Sequence, residues 1–107
     1  MNDSSDKPKL SEKDFVLRSI VRLRKPGKLG MHTVWSNFND AYRAEFGRDP
    51  YETIAWLERE GLIKKVFSKK GSWLYLKADW DEEQKHKEDK AKQKRIKAAL
   101  NIIHNGD

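Results

Sequence analysis

Residues 54–78 read IAWLEREGLIKKVFSKKGSWLYLKA, and a change of period inside this stretch decides the fold. Ile54 and Leu57 recur at helical spacing up to Gly61, a residue suited to the left-handed position that follows a helix. Beyond Gly61 the period becomes two. Residues 63–68 and 72–78 contain Val66, Trp73 and Tyr75, which suit paired strands, and Lys69-Lys70-Gly71 between them supplies a turn. A helix that ends on glycine and gives way to a hairpin is therefore expected.

Working upstream, Asp49 is expected to cap that helix, with Pro50 at its first position and Glu52 completing an Asp-x-x-Glu box. Its apolar positions are Tyr51, Ile54, Trp56 and Leu57. Before Gly47, the residues Trp35, Phe38, Tyr42 and Phe46 fall three and four apart, which predicts an aromatic-faced helix with Thr33 as its N-cap. The connector KLGMH at 28–32 is short and has room for one small strand. Ser11 with Asp14 signals the start of a first helix carrying Phe15, Val16, Ile20 and Leu23, with Arg18, Arg22 and Arg24 between them. Pro26-Gly27 stops it. The expected order is helix, short strand, helix, tight turn, helix, hairpin: an α+β chain, mostly α.

The ends read differently. Residues 1–10 (MNDSSDKPKL) are polar and aperiodic and are expected to form a disordered arm. The body then covers 11–79, and 80–107 is a C-terminal basic helix. Asp81, Glu82 and Glu83 sit near its start and Lys90, Lys92, Lys94, Arg95 and Lys97 in later turns, as the helix dipole favours. Residues 81–104 would span about 36 Å as one helix. Ile96, Ala99, Leu100 and Ile103 form an apolar stripe on its last turns only. That stripe suits a homodimer contact or packing back onto the body, with a DNA-contacting basic helix and a frayed segment as the other readings of the tail. Trp80 is placed to pin the tail to the body.

Composition limits the chemistry. The chain has 107 residues and no cysteine, which excludes disulfides, thiolate zinc sites and cysteine nucleophiles. Its three histidines, His32, His86 and His104, lack metal-ligand spacing, and no catalytic motif or phosphate-binding loop stands out. Neither an enzyme, nor a metal or other cofactor, nor a small-molecule substrate is expected. Without an apolar leader or a long apolar run, no membrane contact is expected, and a cytoplasmic location is. The net charge is +6, and residues 12–79 alone carry 14 basic against 9 acidic side chains. Positive charge concentrated on a folded surface attracts polyanions.

The phrase Ile54-x-x-Leu57-x-x-x-Gly61-Leu62-Ile63, followed by strand, Lys-Lys-Gly turn and strand, resembles the recognition-helix-to-wing segment of MarR-like winged helix-turn-helix repressors. The likeness covers about residues 12–78 and implies three helices plus a two-stranded wing. The added C-terminal helix is similar in layout to small archaeal winged-helix chromatin proteins that dimerise through a terminal coiled coil. The resemblance implies double-stranded DNA as partner, a role as transcriptional regulator or chromatin-associated factor, and a nucleoid association. It places Arg48, Tyr51, Glu52, Thr53 and Ala55 toward the major groove, and Lys69 and Lys70 against a phosphate or the minor groove.

Lys64 and Lys65 at the base of the hairpin extend the expected phosphate contacts, with solubilising edge charge as the plainer reading. Arg18, Arg22, Arg24, Lys25 and Lys28 read better as the wet face of the first helix than as further contacts. The aromatic residues of the second helix are expected to pack as core and not as a ligand pocket or partner groove, and Trp73 and Tyr75 to pack against the helices in preference to stacking on bases. Between Arg48 and Glu60 the third helix holds two arginines against four carboxylates. That acidic balance keeps a second reading open: a winged-helix adaptor that binds protein through this helix.

Overall fold

A computed structural model of the chain describes residues 10–105. The expected arm at 1–10 therefore lies, apart from Leu10, outside the described residues. The first helix, α1 (Glu12–Leu23), starts where Ser11 Oγ accepts the Asp14 N–H at 3.1 Å. After the Pro26-Gly27 turn comes β1 (Met31–His32), then α2 (Phe38–Phe46) and α3 (Tyr51–Arg59). The hairpin is β2 (Ile63–Phe67) and β3 (Ser72–Leu76), and α4 (Lys77–Asn105) follows without a break. The three strands form one antiparallel sheet in the order β1-β3-β2.

The helix-to-hairpin transition uses both backbone bonds of a Schellman motif. Leu62 N–H reaches Leu57 O at 3.0 Å and Gly61 N–H reaches Glu58 O at 3.1 Å. Gly61 holds φ at +76°, where a side chain would be strained, so the glycine fixes the direction in which the hairpin leaves α3.

Nine side chains make the core: Val16 and Ile20 of α1, Met31 of β1, Phe38 and Tyr42 of α2, Ile54 and Leu57 of α3, Ile63 of β2 and Leu74 of β3. Each fully buried apolar side chain of this size contributes about 1.5–3 kcal/mol. Leu74 is the centre of the sheet, opposite Met31 on one side and Lys65 on the other. Because strand side chains alternate, burying Leu74 turns Trp73 and Tyr75 to the opposite face. They do not enter the helical core as expected. Trp73 instead meets His32 and Trp35, and Tyr75 meets Trp80.

Two caps differ from expectation. Thr33 does not start α2. Its N–H bonds Ser72 O at 2.9 Å and its Oγ1 accepts Ser72 N–H at 3.0 Å, so it is spent on tying the chain to β3. The helix begins five residues later, after Asn37 at φ +66°, and Trp35 lies in the intervening turn. Nor does Asp49 cap α3: Pro50 is the N-cap residue, no side chain caps the end, and the Asp49 carboxylate is bound by Arg43. Glu52, expected to close the same box, pairs with Arg48 at 3.5 Å.

α4 is a single helix of 29 residues, about 43 Å long, and no residue of it is buried. Arg24 at the end of α1 holds its first turn through Asp79 at 3.2 Å. Trp80 also anchors it, against Tyr75 with ring centroids 4.9 Å apart. Beyond that the helix leaves the body, which gives the molecule an extent of 81 Å against 26 and 25 Å across. Ile96, Leu100 and Ile103 are exposed, Ile103 at 72%, so the apolar stripe does not fold back onto the body. No described helix is long and apolar enough to cross a membrane.

Truncation in the body and in the tail should therefore differ sharply in cost. Leu57→Ala is expected to lower the free energy of unfolding by about 2–5 kcal/mol, and Ile103→Ser to change it by less than about 0.5 kcal/mol. Urea unfolding followed by tryptophan fluorescence measures both. A loss at Ile103 equal to that at Leu57 would mean that the tail is part of the core.

Candidate nucleic-acid interface

The hairpin and the first turns of α3 stand side by side. Between them runs a groove of about 230 Å³, with Tyr51 and Ile54 from α3, Lys65 and Phe67 from β2, and Lys70 from the turn among its walls. Strand alternation accounts for one wall: Ile63, Lys65 and Phe67 point the same way, and only Ile63 reaches the core. Phe67 is 78% exposed and Tyr51 61% exposed. The Lys65 ammonium lies 4.6 Å from the centre of the Phe67 ring, a cation–π contact that holds both side chains on the groove side. Lys65 N–H also donates to the Glu58 carboxylate at 3.1 Å, which ties the hairpin to α3.

At the floor lies Asn39 of α2. Its Oδ1 is buried and is the one buried side-chain oxygen or nitrogen among the described residues that has no hydrogen-bond partner. An unmet buried acceptor of this kind costs about 1–3 kcal/mol.

His32 sets the position of the hairpin. Its Nδ1 accepts the backbone N–H groups of Val34 at 3.2 Å and Trp35 at 3.1 Å, so that nitrogen carries no proton. Nε2–H therefore donates to Ser68 Oγ at 2.6 Å, at the start of the hairpin turn. Gly71 closes the same turn against this segment. A Cβ there would fall 2.8 Å from Thr33 Oγ1 and 2.9 Å from Val34, so only glycine lets the two backbones approach this closely.

The expected site residues separate into three groups. Tyr51, Lys65 and Lys70 come together in the groove, and Lys69 is exposed beside them at the turn. Arg48 and Thr53 are not available. Arg48 is bound by both oxygens of Glu12 and by Glu52. The hydrogen bond from Arg48 holds the Glu12 carboxyl below the usual carboxylate range. Thr53 is buried, where its Oγ1 meets the Tyr42 hydroxyl at 2.8 Å and the Glu12 carboxylate at 3.4 Å. Burial pushes the Tyr42 phenol upward, which keeps it a donor to Thr53. Lys64 lies on the other face of the sheet, with Nζ 5.9 Å from the Trp80 ring centre.

Phe67 and Asn39 are site residues that the sequence reading passed over. Phe67 was accessible to reasoning, since period two from buried Ile63 puts it on the same face as Lys65. Asn39 carries no such signal.

Acid should loosen the hairpin through His32. Burial lowers its pKa from the ordinary 6.5. The unfolded chain then takes up this proton before the folded one. The stability that His32 contributes is complete above about pH 6.5 and is lost as the pH falls below it. Melting temperatures measured from about pH 7.5 to 5 are expected to drop across the lower half of that range. In His32→Gln, which does not titrate, the drop should shrink. An identical pH profile in the variant would contradict this role.

No protein-family model, curated protein or solved structure matches the chain, so the geometry alone carries the functional reading.

Proposed function

We propose that the chain is a winged-helix protein that binds double-stranded DNA, with the β2–β3 hairpin as its wing and the start of α3 beside it, and that it acts as a small regulator or chromatin-associated factor. The observation that carries this reading is the distribution of paired and unpaired charge. Lys64, Lys65, Lys69 and Lys70 have no carboxylate partner among the described residues. The carboxylates around the start of α3 are engaged, although they outnumber their partners: Arg43 holds Asp40 and Asp49, and Arg48 holds Glu12 and Glu52. The acidic start of α3 is thus partly offset by two arginines, while the hairpin lysines keep their charge.

In this reading Lys65, Lys69 and Lys70 contact phosphates, which supply affinity without sequence information. Tyr51 and Phe67 frame the groove and give it an apolar surface for sugar or base edges. Thr53 and Arg48 are not assigned contacts. The adaptor reading keeps one supporting observation, the exposed Glu52 side chain. Glu52→Lys separates the two, because a DNA binder gains affinity and an adaptor that uses this face loses its partner.

The direct test is the double variant Lys69→Ala, Lys70→Ala in fluorescence anisotropy with labelled duplexes of several sequences. Affinity should fall by a similar factor for all of them. The slope of log affinity against log salt should become shallower by about two, one for each phosphate contact removed. Unchanged affinity would remove the hairpin from the interface.

A further inference from the structure

The outer face of the sheet bears a second surface of different chemistry. Trp73 and Tyr75 emerge there, with Val66 and Lys64 as their cross-strand neighbours on β2. Trp35 lies at one end of the row. Its ring stacks on His32 with centroids 3.8 Å apart and planes 15° from parallel, and meets Trp73 edge-on at 5.8 Å. At the other end Tyr75 meets Trp80. Trp73, Tyr75 and Trp80 line a cleft of about 380 Å³ whose rim includes Lys28 and, paired with each other at 4.0 Å, Lys87 and Glu83. Lys64 leans over Trp80.

Packing accounts for part of this row, because Trp73, Tyr75 and Trp80 are half-buried, Trp73 against His32 and Trp35 and the other two against each other. It does not account for Trp35. That indole is 59% exposed, yet it is held flat against an imidazole that three hydrogen bonds keep in place. A ring fixed on one face and open on the other is a stacking platform. Beside it runs an aromatic cleft with amines on its rim. Successive aromatic platforms along a basic track are how proteins hold single-stranded nucleic acid, because every base offers a π face and the amines follow the phosphates. A duplex cannot use the platform, since its bases are already stacked on each other.

We propose that this outer face binds single-stranded DNA, with bases stacked on Trp35 and in the Trp73–Trp80 cleft and with Lys28 and Lys64 along the phosphates. The site lies on the opposite side of the sheet from the groove. It depends on the duplex reading only for the choice of DNA over RNA.

The test is anisotropy of a labelled fifteen-nucleotide oligo(dT), titrated with the full chain at low salt beside a labelled duplex. Wild type should bind the oligo(dT) saturably. Trp35→Ala should weaken that binding about tenfold and Trp35→Phe should restore most of it, while neither changes duplex affinity. Lys28→Glu with Lys64→Glu leaves the rings untouched and should weaken oligo(dT) binding in the same way. The variant Lys69→Ala, Lys70→Ala should keep its oligo(dT) affinity, so failure of the groove and failure of the outer face are read separately. Absence of saturable oligo(dT) binding, or wild-type affinity in both Trp35→Ala and the lysine pair, would overturn the proposal. Tighter binding of oligo(rU) than of oligo(dT) would overturn the assignment to DNA.

Discussion

The neutral imidazole of His32 is the constraint on which the functional surfaces depend. It sits at the end of a two-residue strand, too short to fix anything by pairing alone, and makes three hydrogen bonds in its place. Two of them bend the chain into the turn that precedes α2. The third fastens the hairpin turn through Ser68. Once these are made, Gly71 is drawn against Thr33 and Val34, the groove beside α3 acquires its width, and Trp35 is laid flat with one face to solvent. A protonated ring could not accept the N–H groups of Val34 and Trp35, so the arrangement requires the neutral form. Burial favours that form.

Charge is distributed by a different mechanism. Ion pairs as exposed as Arg43–Asp49 and Arg48–Glu12 add little to the stability of a fold. Their effect here is on the field. They offset part of the acidic charge at the start of α3 and leave the hairpin ammonium groups without carboxylate partners among the described residues. With a Debye length of about 8 Å at physiological salt, such local arrangement decides what a phosphate meets at contact, while the net charge of the chain matters mainly at longer range.

Much of the fold was legible because it rests on local rules. The Ser11 cap, the stop at Pro26-Gly27, the left-handed Gly61 and the switch to period two each follow from a few neighbouring residues. The errors arose where a distant residue took over. Thr33 has the chemistry of a helix cap, but Ser72, far along the chain, claims both its N–H and its hydroxyl. Asp49 and Glu52 form a capping box on paper, and Arg43 and Arg48 are the stronger partners. Thr53 looks like a polar helix-surface residue beside Ile54, and its burial becomes visible only when the Tyr42 hydroxyl is found facing it. Trp73 and Tyr75 were given the core by their size, whereas alternation about Leu74 sends them outward. The site divides in the same way. Tyr51 was expected only through the winged-helix resemblance, Lys65, Lys69 and Lys70 through that resemblance and their place on the hairpin, and strand alternation separates Lys64 from them.

The central claim is that duplex DNA meets the groove between α3 and the hairpin. Amide chemical-shift mapping on the isotopically labelled chain, titrated with a short duplex, tests it most directly. The account predicts shifts concentrated at Tyr51, Lys65, Phe67 and the turn from Ser68 to Gly71, with the amides of α4 beyond Trp80 unmoved. Absence of shifts at low salt, or shifts confined to the tail helix, would contradict it.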